Sequence, residues 1–510
     1  MNQNPSISHT TLIRVAWLSI GAFLLLNFGL ALLRLINKPF NPDELQHLHI
    51  AWLIAQGKIV YRDFWEHHGP LYSLFNGALI WISDPEPSVR ILLWSRLLSL
   101  ILSSIVGVLT WFIARNLGLS KTAAWLAVAA YSSLDMVQNK GVEMRPDVPQ
   151  TLFWIGGILL LIRNQDAGSL KRAAYAGVLF ALTILSNAKA GVGPFFAVTF
   201  YLVAHWLCNM KWTDIGRDLL GMLLGGLLTL APILLYFFIN DAALDFLYFN
   251  YVWNVLFNIN WSADFQAAFT DSGTSLAEEY FWFYIREQLA FTVLAIAGAG
   301  FWIAKLWNEP DQGSKQRDWL FAIVTLGTTL GWLTNQHSQY FLVFLPLLSV
   351  LAGYALVRTA NLFAPKHYVG GVALSTVLTI IAAVAMLTCS IANTPFRETA
   401  LLMQQKAFTQ RFVSMTSRDE PVAVLWGQCG GYMFNEITGF YWVAMPFHSE
   451  IIEIISGEHP FSESFIAEME RKKVRFVIGQ QNWMTEGLSP EALDYLRNNF
   501  EYTNCLWSRK

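Results

Sequence analysis

The sequence predicts an α-helical polytopic membrane protein with a small α/β domain at its C-terminal end. Three observations lead there. Apolar runs of spanning length recur through residues 1–392; 54% of the 510 residues are hydrophobic against 14% charged; and residues 393–510 change to short strand-like and amphipathic segments. An aromatic share of 15% with 21 Trp exceeds what a soluble core needs. A net charge of −2 excludes nucleic acid as a partner, because phosphate binding calls for a strong basic excess. The four cysteines, Cys208, Cys389, Cys429 and Cys505, lack CxxC spacing, so they indicate neither a zinc knuckle nor a redox pair.

The first apolar run, Leu12 to Ile36, is too long for the apolar part of a signal peptide and has no small-residue cleavage site. It reads as a retained anchor. Further runs follow at 89–114, 120–137, 148–162, 173–187, 191–209, 218–240, 284–306, 318–335, 340–357 and 367–392. Each approaches the ~20 residues that cross a bilayer core, which makes about eleven spans. Arg115 and Lys121, then Arg163, Lys171 and Arg172, then Lys211 and Arg217, then Lys305, Lys315 and Arg317, then Arg358 and Lys366 all fall on the side of Arg14. The positive-inside rule makes that side cytoplasmic. Segments 37–88, 138–147, 241–283 and 335–340, with everything after about residue 393, then lie outside. In the C-terminal domain, Pro421–Trp426 and Val474–Gly479 read as short buried strands, and Ser464–Arg471 and Pro490–Arg497 as amphipathic helices.

The first outer segment carries the most chemistry. Asn41 is a helix N-cap, Pro42 suits the first helical position, and Glu44 completes a capping box. Leu45, Leu48, Trp52 and Ala55 form one apolar stripe, so a short helix along the membrane surface is expected, with Asp43, Glu44 and His47 at its start. Acids at a helix N-terminus can be capping alone. Yet the same segment holds Asp63, Glu66, His67 and His68, and with His47 and His49 it contains four of the ten histidines of a weakly charged chain. A second group, Arg145-Pro146-Asp147, opens a span, where an ionisable side chain is costly and tends to be functional. A third, Asn335-Gln-His-Ser-Gln-Tyr340, is wedged between two spans and fits either helix-end satisfaction or a ligand cleft. Lys189 and Arg286, near outer span ends, suit either snorkelling or pairing with a lipid phosphate. Tyr248, Asn250, Trp253, Asn254, Trp261 and Asp264 in 241–283 have the content of a sugar-stacking loop and equally of an interfacial belt.

Taken in order, Pro42-Asp43-Glu44, the Glu66-His-His-Gly-Pro-Leu-Tyr72 segment, Arg145-Pro-Asp147, and His337-Ser-Gln-Tyr340 with Pro346 are similar to the C-type glycosyltransferase superfamily. The likeness is to its bacterial group related to protein O-mannosyltransferases and the lipid A aminoarabinose transferase, and covers roughly residues 12 to 360. The resemblance implies a polyprenyl-phosphate-linked sugar as donor, a lipid, glycan or protein acceptor, and membrane lipids as surroundings. It makes Asp43 the catalytic base, Glu44 its acidic neighbour and Asp147 a second acid. It gives the donor phosphate or sugar to His68, Arg145, Lys189, Arg286, His337 and Tyr340. It also implies a divalent metal (Mg²⁺, Mn²⁺ or Zn²⁺) at Glu66 and His67, where the aminoarabinose transferases carry an acidic-basic pair. The chain departs from the family at Gln46, where a basic residue is common, so another cation must meet the phosphate.

The residues suit that chemistry. A carboxylate takes the proton from an acceptor hydroxyl as it attacks the anomeric carbon, and positive charge steadies the departing phosphate. One displacement inverts the centre. A transporter or flippase of lipid-linked sugars is the rival of another class, and predicts ionisable groups near the midplane and repeat symmetry, neither of which the sequence displays. A metal-dependent hydrolase would want HExxH-type spacing, which is missing.

Overall fold

The computed structural model describes residues 9–64, 66–83, 90–187, 192–207, 211–252, 288–308, 311–333, 338–363, 384–385, 387–388, 390–417, 420–424, 436–438, 465–479, 490–503 and 506–510. Its helices are α1 (His9–Asn37), α2 (Pro42–Ala55), α3 (Pro70–Ser83), α4 (Arg90–Asn116), α5 (Lys121–Ser133), α6 (Asp135–Lys140), α7 (Asp147–Ala167), α8 (Leu170–Ser186) and α9 (Val192–Leu207). They continue as α10 (Trp212–Ile239), α11 (Ala243–Leu247), α12 (Leu289–Asn308), α13 (Gln312–Leu333), α14 (Leu345–Phe363), α15 (Ala400–Met415), α16 (Phe465–Arg471) and α17 (Pro490–Asn499).

Among the described residues, α1, α4, α10, α12 and α14 are long and apolar enough to cross a membrane. Helices α5, α7, α8, α9 and α13 occupy other expected runs but are shorter or more polar. The last expected run, 367–392, falls mostly outside the described residues. The run at 120–137 is two helices, because Leu134 is extended (φ −66°, ψ 128°) and ends α5 before α6 begins. Helix α3 lies inside the segment expected to be loop; its apolar face buries Tyr72, Asn76, Gly77 and Ile80. Small residues set the close packing of α8 on α10. A Cβ at Gly177 would collide with the Met222 carbonyl, and one at Gly225 with that of Ala174.

After α15 the chain builds β1 (Pro421–Val424), β2 (Glu436–Thr438), β3 (Phe476–Ile478), β4 (Phe500–Thr503) and β5 (Leu506–Arg509). They form one sheet of order β2-β1-β3-β5-β4, parallel between β2, β1 and β3 and antiparallel through β5 to β4. The two expected strands and two expected helices all occur here; α15, β2, β4 and β5 are additions.

The C-terminal unit packs on α2. Phe40, Leu45, Leu48 and Trp52 share one apolar cluster with Leu402 and Phe412 of α15 and with Phe476 and Leu506 of the sheet. Gln405 clasps the segment leading into α2, donating to the Phe40 carbonyl (2.9 Å) and accepting from its N–H (2.8 Å). Helix α2 is therefore buried on all sides from Glu44 to Trp52, which corrects the expectation of a one-faced surface helix. The apolar stripe faces the C-terminal unit and α4, while Ile54 on the other side meets Gly77 of α3.

Candidate active site at the start of α2

The local sequence starts α2 as expected. Asn41 is extended, its side chain accepts from the Asp43 N–H (3.0 Å), and Glu44 reaches back to the Asn41 N–H (3.0 Å). Two adjacent acids then point to different environments. Glu44 is fully buried and its oxygens are all engaged, accepting from Arg96 Nε (2.8 Å), Arg96 Nη2 (2.6 Å) and the Met144 N–H (3.0 Å) besides the cap. Arg96 on α4 also donates to the carbonyls of Leu35, Lys38 and Pro39 at 2.8–3.0 Å, and its guanidinium lies over Phe40. Glu44 is thus a bolt joining α2, α4 and the segment before α7; that task leaves its carboxylate no lone pair for a substrate.

Asp43 keeps 30% of its side chain exposed and forms a close ion pair with Arg145. Burial pushes its carboxyl up, but the charges of Arg145, His47 and Lys140 outweigh this and hold it at about 2. Arg145 is shared by three acids: Asp43, Asp147 (Nε to Oδ2, 3.1 Å) and Glu143 (3.5 Å). Burial opposes its charge, yet these carboxylates raise it above its ordinary value. Asp147 opens α7 as expected and receives a second bond from Asn187 Nδ2 (3.3 Å), the residue that ends α8. Glu143 is buried beneath Lys38 and Lys140; Lys140 Nζ lies 3.1 Å from both its oxygens. Burial would raise Glu143, but Lys38, Lys140 and Arg145 hold it far below the usual range, while burial lowers Lys38 to about 8 against the pull of Glu143.

On the other side of Asp43, one turn along α2, stands His47, with burial and the nearby His68 lowering it to about 4. Its ring is 4.7 Å from that of His68. Glu66 is buried and bonded through one oxygen to the His67 and His68 N–H groups (2.8 and 2.7 Å) and to His68 Nδ1 (2.6 Å). Burial raises its carboxyl, but His68 more than offsets this. Tyr61 anchors the same segment by donating to the His68 carbonyl (2.6 Å), at a left-handed φ of 73° that a non-glycine residue adopts only when its surroundings impose it. Among the described residues the metal-capable group that forms is His47, Glu66 and His68. The expected partner of Glu66 was His67, whose Nδ1 is 3.8 Å from Glu66 Oε1.

Asp43, Arg145, Asp147, Glu66 and His68 therefore gather around the start of α2 and α7. Tyr340 is buried in the main core on a 3₁₀ turn, Ser338–Val343, that packs on α6 and α7. Lys189, Arg286 and His337 lie outside the described residues. Sequence reasoning did not single out Glu143, Lys38, Lys140, Arg96 or Asn187 as site residues. Glu143 and Lys140 had a signal, being a carboxylate and a base three residues apart in the 138–147 segment; the others are defined by partners distant in sequence.

The loop carrying His68 is set by Gly69. A Cβ there would lie 2.6 Å from the Leu185 carbonyl carbon and 2.7 Å from that of Ser186. Both are backbone, so Gly69→Ala must displace the loop or the end of α8. The expected cost is about 1–3 kcal/mol, as for overpacking elsewhere, read as a lowered midpoint in thermal unfolding of the detergent-solubilised protein. An unchanged midpoint would show that the loop does not press on α8.

Residues 86–236 match the family described as dolichyl-phosphate-mannose-protein mannosyltransferase. Among curated sequences no relative reaches significance. Solved structures do. ArnT from Cupriavidus metallidurans, bound to undecaprenyl phosphate, superposes with a TM-score of 0.59 at 11% identity, over 98% of this chain and 98% of its own. Archaeal oligosaccharyltransferase AglB from Archaeoglobus fulgidus, in complex with an inhibitory peptide and a dolichol-phosphate, gives a TM-score of 0.59 at 10% identity, over 96% of this chain and 74% of its own. An Archaeoglobus fulgidus oligosaccharyltransferase in complex with Zn and sulfate gives 0.53 at 11% identity, over 89% of this chain and 67% of its own. The chain thus has the helical membrane fold of ArnT and AglB, with a family match over residues 86–236, and the likeness to C-type glycosyltransferases read from its motifs is borne out in that fold.

Proposed function

We propose that this chain is an inverting glycosyltransferase that moves a sugar from a polyprenyl-phosphate donor to a hydroxyl or amine of an acceptor on the extracytoplasmic face of the cell membrane. One observation carries the reading. Of five carboxylates gathered at the site, Glu44, Glu66, Glu143 and Asp147 are buried, and Asp43 alone offers substantial surface to a substrate. The matched family and the undecaprenyl phosphate and dolichol-phosphate bound by ArnT and AglB support a lipid-phosphate donor.

Asp43, ionised by Arg145, accepts the acceptor's proton. A carboxylate this weakly basic cannot deprotonate an alcohol beforehand; transfer occurs as the new C–O bond forms and the hydroxyl proton becomes acidic. The bond from the anomeric carbon to the phosphate oxygen breaks in the same step, leaving the lipid phosphate with both electrons. That charge is assigned to Arg145, the cation paired with Asp43, with Lys189, Arg286, His68, His337 and Tyr340 proposed from the family likeness as further donor contacts. Asp147, held by Arg145 and Asn187, positions Arg145. Residues 37–88, 138–147 and 393–510 lie outside and the N-terminus is cytoplasmic in this reading. A flippase would place its ionisable groups along a path through the bundle, whereas these cluster at one end of the helices.

The test is mass spectrometry of glycolipids and glycoproteins in cells lacking this chain. A glycoconjugate that disappears, and returns with the wild-type copy, is expected and names the acceptor. An unaltered glycan profile with unchanged polyprenyl-phosphate-sugar levels would reject the transferase.

A further inference from the structure

One nitrogen of Arg145, Nη1, faces two carboxylates: it is in close contact with Asp43 Oδ2 and stands 3.5 Å from Glu143 Oε2. Opposite charges at such distances attract strongly where water is scarce, so the two acids compete for one cation. The contest is decided by how far Glu143 is already neutralised. Its side chain is fully buried, Lys38 Nζ closes on Oε1, and Lys140 Nζ stands 3.1 Å from both oxygens. The cations Lys38, Lys140 and Arg145 then balance the acids Asp43, Glu143 and Asp147.

We propose that Lys38 is a positioning residue for the transfer step: its ammonium neutralises Glu143, which leaves Arg145 to Asp43 and the donor phosphate, and this hold is released when the ammonium loses its proton. The proposal rests on the glycosyl-transfer reading above. Lys38 follows the last turn of α1 and keeps 16% of its side chain exposed, so it exchanges protons with water. Burial lowers it to about 8 against the pull of Glu143, with Lys140 adding to the lowering and Glu44 opposing it. The other charges around it are engaged. Glu44 binds Arg96, whose Nη1 donates to the Lys38 carbonyl (2.9 Å), and Arg34, one turn back on α1, binds Asp135 (2.6 Å). The C-terminal unit meets the neighbouring Asn37 through the Pro395 carbonyl and the Thr399 N–H, and its Glu398 binds Lys406. A neutral Lys38 amine leaves the cluster with one uncompensated negative charge beside Glu143. Arg145 Nη1 is then drawn toward Glu143 and away from Asp43, so the base loses its alignment and the phosphate its cation. A lysine here, in place of an always-charged arginine, makes transfer depend on pH.

The full chain and its variants are added in detergent to membranes of cells lacking it, which hold both donor and acceptor. Single-turnover loss of the polyprenyl-phosphate-sugar is followed by mass spectrometry from about pH 6 to about 10. The wild type is expected to lose about 10–100-fold in rate on an alkaline limb centred near pH 8, as for a small misplacement of a catalytic group. Lys38→Arg keeps its charge, so it should hold the neutral-pH rate and show no limb below about pH 10. Lys38→Met should run at the wild type's alkaline rate at every pH. The double variant Lys38→Met/Glu143→Gln deletes the competing carboxylate with its cation, and should return to within about threefold of the wild type at neutral pH. A lysine with a merely structural role would give no such rescue. Trace acetylation of amines at each pH, read on the Lys38 peptide, follows the titration without activity. A half-point near 8 is expected, and one at the ordinary lysine value of about 10.4 would overturn the proposal. So would a wild type without the limb, a limb retained in Lys38→Arg, or no recovery in a folded double variant. The two readings fail separately: normal transfer by Asp43→Asn sinks the base assignment, whereas Asp43-dependent transfer with an unchanged limb in Lys38→Arg sinks the role of Lys38 alone.

Discussion

Replacing Asp43 by Asn is expected to slow sugar transfer by roughly 10²–10⁴-fold, the range for removal of a general base, with folding unchanged. The substitution preserves shape, and the helix start is held by Asn41 and Glu44 rather than by the Asp43 carboxylate. What disappears is the negative charge and the proton-accepting oxygen beside Arg145. The measurement is single-turnover consumption of a polyprenyl-phosphate-sugar by detergent-solubilised protein, with thermal unfolding as the folding control. Wild-type turnover by a folded Asp43→Asn protein would end the assignment. The pH profile adds a second reading. Arg145 keeps the carboxyl at about 2, so the base is ionised throughout the working range and the acid limb of the wild type is not set by Asp43. In Arg145→Gln the depressing charge is gone and burial raises the carboxyl, so an acid limb should appear at higher pH, with transfer lost as pH falls through it. An acid limb identical in both proteins would exclude Asp43 as the titrating base.

Arg96→Met is expected to be the most destabilising single change at the site, by about 3–5 kcal/mol, the range for leaving one partner of a buried ion pair alone. Both Arg96 and Glu44 are fully buried, and their contact is bidentate. Arg96 also satisfies three carbonyls around the end of α1 and the segment that follows, so its loss orphans more groups than Glu44→Gln would. The double variant Glu44→Gln/Arg96→Met should cost less than the sum of the single changes, because the unpaired charge is removed along with its partner. Thermal unfolding and yield of monodisperse protein read both effects. Additive costs would show that the two side chains act independently.

The same pair shows why half of the site was legible in the sequence. Asn41-Pro42-Asp43-Glu44 announces a helix start because capping is local: donor, acceptor and turn lie within four residues. Arg145-Pro146-Asp147 is similar, an ion pair and a helix opening read from three residues. The role of Glu44 could not be read that way. Its neutralising partner, Arg96, is 52 residues away on another helix, and nothing in the Asp43-Glu44 dipeptide tells the exposed acid from the buried one. Similarly, sequence adjacency favoured His67 beside Glu66, whereas the fold brings in His47 from α2. Helix α3 went unforeseen because its fourteen residues fall short of a span, and it is stabilised by packing on α2 and α8.

The sequence by itself determined the membrane-embedded helices, the cap of α2, the opening of α7 and the strand-helix character of the C-terminal segment. Hydrophobic run length and capping are properties of contiguous residues and act wherever the chain goes. The tertiary structure alone decided which carboxylate stays accessible, which cations neutralise the others, and which two histidines gather beside Glu66. Those outcomes depend on charge and hydrogen-bond distances between elements up to 105 residues apart, which only the packing of α2 against α3, α4, the segment before α7 and the C-terminal unit sets.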